Sequence, residues 1–193
     1  MHVKGPIQYP YGYNKIADRD DTNQNALMDF GILRLAAGEI FSEEQNLERA
    51  YLLVQGSVIF KWDNTSVETV RENCFDYSPW VLHVPNSVTI TITANADSEI
   101  AVHRTENKNT FPCKLYTPDE CASEFRGAGT MRETSTRIVR TVFDQSNAPY
   151  SNLVLGEVID MPGKWSSYPP HNHPQPEIYF YRFLPENGFA VRK

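Results

Sequence analysis

Three side chains near one end of the chain have the types and spacing of a metal site. In WSSYPPHNHPQPEIYFYRF (165–183), His171 and His173 are separated by one residue, and Glu177 follows four residues after the second histidine. Side chains of an extended segment alternate between two faces, so both imidazoles lie on one side and can reach a single ion. A turn built on Pro174-Gln175-Pro176 would fold Glu177 back as a third ligand. Two nitrogens and a carboxylate suit Zn, Mn, Fe or Ni, with zinc favoured by nitrogen-rich ligation. A closed set needs about four ligands, and no histidine follows His173. Read as a strand from Glu177, EIYFYRF puts Tyr179, Tyr181 and Phe183 on one face and Ile178, Phe180 and Arg182 on the other. Phenols beside a metal would suit a polar, sugar-like ligand.

The elements that must position these groups read as strands. β-Branched and aromatic residues recur in short runs between turn signals. The runs are MDFGILRLA (28–36), AYLLV and SVIFKW around a hairpin at Gln55-Gly56, VLHVP, SVTITITA and EIAVHR. In SVTITITA, Val88, Ile90 and Ile92 share the face to be buried. The texture changes at 106–136, where Thr117-Pro118-Asp119-Glu120 has the makings of one short helix and RGAGTMRETST reads as a linker. Strand texture resumes in RIVRTVF (137–143), NLVLGEVIDM, EIYFYRF and GFAVRK. This divides the chain into an N-terminal β unit (1–112), a connector with a short helix (113–136) and the first part of a second β unit (137–193) that carries the histidines. Many short strands with Gly/Pro turns indicate an all-β fold of barrel or jelly-roll type, the class that includes cupins.

The chain has 193 residues, enough to bury a substantial core. A formal charge of −6 without a Lys/Arg cluster gives no footprint for a phosphate backbone and excludes nucleic acid as the expected partner. Cys74, Cys113 and Cys121 form no CxxC pair, and three cysteines make no disulfide framework for a chain this size, which fits a reducing cytoplasm. Apolar runs such as AYLLV are far short of the roughly 20 residues needed to span a bilayer, so no membrane association is expected.

GEVIDMPGKWSSYPPHNHPQPEIYFYRFLPENGF (156–189) closely resembles the second-domain signature of the 5-deoxy-glucuronate isomerase family of bacterial myo-inositol catabolism, and the resemblance extends through RGAGTMRETSTRIVRTVF and, more loosely, the N-terminal block. It implies a bicupin with the second barrel incomplete, and an aldose–ketose isomerase that converts 5-deoxy-glucuronate to 5-dehydro-2-deoxy-gluconate. By the cupin pattern His171, His173 and Glu177 are three of four metal ligands. Tyr179 and Tyr181 become candidates for substrate hydrogen bonds and Arg182 for the substrate carboxylate, although its parity makes an outer-face salt bridge its simpler use. No residue is identified as the general base. The resemblance also implies a longer family chain, so truncation is expected to weaken metal occupancy and activity. The first block is degenerate as a metal site: FSEEQNLERAYLLVQG keeps Glu48 and Gly56 without a histidine pair, and His83, near the place of a later histidine, is more often a packed or hydrogen-bonded residue when alone, so this block is expected to supply scaffold and oligomer contacts. Exposed strand edges lead us to expect a homo-oligomer. Two other functions fit less of the sequence: a non-catalytic cupin module that forms oligomers, and an enzyme like 5-keto-4-deoxyuronate isomerase.

Overall fold

The computed structural model describes residues 4–23, 25–166 and 174–190. Its strands are β1 (Gly12–Ala17), β2 (Asp29–Leu35), β3 (Ile40–Glu43), β4 (Glu48–Trp62), β5 (Thr65–Arg71), β6 (Val81–Val84), β7 (Ile90–Ala94), β8 (Ser98–Thr105), β9 (Lys114–Tyr116), β10 (Ala122–Arg126), β11 (Arg137–Phe143) and β12 (Leu155–Asp160). The only helical elements among the described residues are two 3₁₀ turns, Pro118–Glu120 and Met131–Glu133. The expectation of an all-β, cupin-type fold is therefore met.

β1 to β9 form a nine-stranded antiparallel assembly whose hub is β4. Up to Gln55 this strand pairs with β8 and β6, and from Gly56 onward it pairs with β5 and β7. One 15-residue strand thus serves two sheets, where the sequence suggested a hairpin at Gln55-Gly56. The correction has a local cause. Gly56 has φ +114°, and a Cβ there would lie 2.2 Å from Ser98 Oγ and 2.7 Å from the Asp97 carbonyl oxygen. The glycine bends the strand against the start of β8 rather than reversing it.

Between the two sheets lies an apolar interior that includes Leu33, Tyr51, Leu53, Val58, Phe60, Leu82, Ile90, Ile92, Ile100 and Val102. The predicted alternation of β7 holds for Ile90 and Ile92, and Val88 packs against the same cluster from just outside the strand. The barrel's outer face is buried as well. Phe30, Ile32, Ala50, Leu52, Val81 and Ala101 pack with Val142, Phe143, Leu153 and Leu155 from the second unit.

That second unit is the three-stranded antiparallel sheet β10-β11-β12. The short helix expected at Thr117–Glu120 is a single 3₁₀ turn, with the Thr117 N–H donating to Glu120 Oε2 at 3.0 Å. EIYFYRF, expected as a strand, forms no ladder among the described residues, nor does Gly188–Ala190; the end of GFAVRK (191–193) lies outside them. Instead Ile178 and Phe180 pack on the barrel's outer cluster, with the Phe180 ring 5.6 Å from Phe30 and 6.3 Å from Tyr9. Side-chain burial holds this segment extended in place of backbone pairing. No helix among the described residues is long and apolar enough to cross a membrane.

Candidate functional site

β12 leads through Met161–Ser166 toward the histidine pair, and the start of that path is anchored. The Trp165 N–H donates to the Thr134 carbonyl at 2.9 Å, and the Lys164 ammonium donates to the Glu133 carbonyl. His171 and His173 lie outside the described residues. Glu177 is exposed and accepts the Tyr179 hydroxyl at 2.9 Å. The strand-like parity read from the sequence holds beyond it: Tyr179, Tyr181 and Phe183 stack along one face, with centroids 6.2 and 6.4 Å apart. Arg182 lies on the opposite face, where it forms an ion pair with Glu99 of β8 and sits 5.4 Å from the Phe180 ring centroid. The structure thus brings Glu177, Tyr179 and Tyr181 together and directs Arg182 to the barrel. Among the described residues no group of three or more His, Cys, Asp and Glu could hold a metal ion.

Two buried polar junctions, neither anticipated from sequence, join the barrel to the sheet that leads into the motif. In the first, Glu48 of β4 and His83 of β6 are both fully buried. The Glu48 carboxylate is bonded to His83 Nε2 at 2.7 Å and accepts from Ser151 Oγ at 2.5 Å, Asn107 Nδ2 at 2.7 Å and the Asn152 N–H at 2.9 Å. Burial, the largest single effect, pushes this carboxyl up, but the bonds from His83, Ser151, Asn152 and Asn107 together outweigh it and hold the pKa below its ordinary value. The His83 ring stacks on Phe143 at 4.4 Å and also meets Phe111 and Tyr150.

In the second junction, Arg71 of β5 forks onto Glu157 of β12, with Nη1 to Oε1 at 2.9 Å and Nη2 to Oε2 at 2.7 Å. Arg140 of β11 binds the Cys74, Phe75 and Tyr77 carbonyls at 2.8 to 2.9 Å and approaches Glu157 at 3.4 Å. The guanidiniums therefore fasten the 74–77 loop and β12 to each other through charge-assisted bonds.

Glu48 and His83 face the second unit, not the barrel interior; His83 is the packed, hydrogen-bonded residue that a lone histidine at this place more often is, and Glu48 is its partner. The interior at this end holds Arg49 and Arg104. Arg104 pairs with Glu43 at 2.8 Å, Tyr51 donates to the same carboxylate, and Arg49 donates to the Val88 carbonyl at 2.6 Å.

A family model described as KduI/IolB matches residues 10–193. The chain belongs to the KduI/IolB family. It is 29% identical over 180 residues to the 5-deoxy-glucuronate isomerase of Geobacillus thermodenitrificans, covering 85% of this chain and 63% of that protein. It is 27% identical over 179 residues to the 5-deoxy-glucuronate isomerase of Bacillus subtilis, covering 86% and 65% respectively. The chain therefore spans less than two thirds of the length of these relatives. Among solved structures, an IolB-like protein from Salmonella typhimurium superposes with a TM-score of 0.62 at 24% identity, over 72% of this chain and 52% of that one. For this KduI/IolB member that likeness shows the fold.

Proposed function

We propose that this KduI/IolB chain carries the metal-binding portion of an aldose–ketose isomerase that converts the sugar acid 5-deoxy-glucuronate to 5-dehydro-2-deoxy-gluconate. The observation that carries the reading is the combination of His171, His173 and Glu177 with family relatives bearing that name. As a donor set, two imidazoles and a carboxylate fit a divalent ion, with zinc the first choice and Mn, Fe or Ni compatible. When bound, such an ion supplies Lewis-acid polarisation of the substrate's oxygens.

The chain's own groups would set up that chemistry. The Tyr179 hydroxyl on Glu177 orients the carboxylate, as an outer-shell donor does for a metal ligand. Tyr181, stacked beside Tyr179, offers a second phenol to substrate hydroxyls. The two buried junctions fix the path of β12 and hence the base from which the motif departs. Three free thiols are consistent with a cytoplasmic setting, and the edge of β12, unpaired among the described residues, would suit assembly into a homo-oligomer.

The test is metal analysis of the zinc-loaded protein beside a turnover assay with 5-deoxy-glucuronate. About one zinc per chain is expected in the wild type, lost in His171→Ala and in His173→Ala, with sugar-acid isomerisation following the metal. Zinc retained by the His171→Ala/His173→Ala double variant would overturn the ligand assignment, and metal-loaded wild type without turnover would overturn the reaction.

A further inference from the structure

We infer that Arg132 is a specificity-determining residue, positioned to capture the carboxylate of a sugar acid; the inference rests on the proposed substrate class. It starts from a costly piece of backbone. Met131, Arg132 and Glu133 are consecutive non-glycine residues at φ 47°, 52° and 60°, a left-handed turn that L-residues rarely make as a run.

Surrounding bonds hold this turn. The Gly129 N–H donates to Glu133 Oε1 at 2.6 Å, the Glu133 N–H donates to the Thr130 carbonyl at 2.8 Å and Thr134 Oγ donates to the Met131 carbonyl at 2.7 Å. Gly127 lets the loop close, since a Cβ there would lie 2.4 Å from the Ser135 carbonyl oxygen. Lys164 and Trp165 then tie the turn to the chain entering the histidine motif, through the Glu133 and Thr134 carbonyls. Arg132 is exposed on this turn.

Charge accounting singles out this residue. Arg126, Arg137 and Asp160 stand in register at the same end of the three-stranded sheet. There Arg126 pairs with Glu124 at 2.8 Å, Arg137 donates to the Ser135 carbonyl at 2.8 Å and Lys164 donates to the Glu133 backbone carbonyl. Arg140 is engaged with Glu157, and Arg182, the sequence candidate for the carboxylate, with Glu99. Glu133, the nearest acid in sequence, is turned to the Gly129 N–H. Among the described residues at this end, Arg132 is the guanidinium with neither an ion pair nor a hydrogen bond. A planar fork without a counter-ion, held on a rigid turn, is suited to a carboxylate.

The experiment titrates the full chain with D-glucuronate, with D-glucose as the neutral control, following tryptophan fluorescence and heat of binding. Glucuronate is expected to bind and glucose not. Arg132→Ala should weaken glucuronate binding by about tenfold or more, with Arg132→Lys intermediate because it loses the fork. Arg132→Gly should raise Tm by about 2–4 °C, by relieving the left-handed strain, while losing the same affinity. Absence of glucuronate binding by the wild type, or Arg132→Ala within twofold of it, overturns the inference. Glucuronate capture through Arg132 without isomerisation defeats only the proposed reaction; isomerisation with an unchanged KM in Arg132→Ala defeats only the role of Arg132.

Discussion

Removing the Glu48 carboxylate should loosen the second unit from the barrel. The size of the effect follows from what its four donors can do afterwards. Asn107 Nδ2 also bonds the Tyr150 carbonyl at 2.8 Å, and Ser151 Oγ also reaches the Leu153 carbonyl at 2.8 Å, so both keep a partner. His83 Nε2 and the Asn152 N–H keep no alternative acceptor. Leaving the buried His83 Nε2 unpaired, at about 1–3 kcal/mol, and the part-buried Asn152 N–H, at about 1 kcal/mol because water can reach it, gives roughly 2–4 kcal/mol for Glu48→Ala. That is a large share of a typical domain's stability and corresponds to a Tm lower by roughly 4–16 °C. Glu48→Gln keeps the shape but turns an amide N–H₂ toward donors, and should cost about 2–3 kcal/mol. Thermal unfolding by circular dichroism measures both. The pH dependence has a definite sign. Because the native pKa lies below the ordinary 4.5, the stabilisation is complete above that value and lost as pH falls through the native one. The Tm gap between wild type and Glu48→Gln should therefore be widest near neutrality and close in acid. A Glu48→Ala protein melting within 2 °C of wild type, or a gap that widens as pH falls, would refute the junction as described.

Gly56→Ala should be destabilising by about 2–5 kcal/mol, combining left-handed strain with contacts that backbone atoms of Asp97 and Ser98 cannot yield. Urea unfolding should show a lower midpoint at unchanged slope, and a wild-type midpoint would disprove the bend. Cys113 is held up to about 11, first by burial and then by Asp63, so at pH 8 its thiol should react with a disulfide reagent on the order of 100-fold more slowly than a cysteine at the ordinary 9.0. Labelling at the rate of free cysteine would contradict that environment.

The sequence revealed the fold where strands have one wet face and concealed it where they do not. SVTITITA alternates, and its inward Ile90 and Ile92 could be assigned directly. β4 is buried on both sides, with Ala50 and Leu52 meeting the second unit while Tyr51 and Leu53 line the interior. Alternation vanishes there, and with it any sign of which face is inside. The same ambiguity explains Glu48: the acid that seemed to belong to a metal motif points outward, and its neighbour Arg49 takes the interior. Gly56 carried a turn signal in sequence because glycine serves reversals and bends alike, and only the approach of Ser98 distinguishes them.

The candidate site divides along a similar line. The spacing of His171, His173 and Glu177, and the parity that places Tyr179 and Tyr181 opposite Arg182, are local properties of one extended segment, and such properties can be read from a few residues. The groups that steady the segment are not local. Ser151 meets Glu48 across 103 positions, Arg71 meets Glu157 across 86, and no periodicity of either stretch encodes the meeting. Arg132 lies between these cases. Its flanking Gly127 and Gly129 belong to the stretch read as a linker, which in the structure joins the paired strands β10 and β11, and a linker reading treats its residues as interchangeable connectors. What gives Arg132 a direction is three left-handed residues locked by Gly129, Thr130 and Thr134, together with the engagement of the neighbouring cations among the described residues. A sequence displays the charges available to a site; which of them remains unspent is decided by pairings that only the folded chain makes.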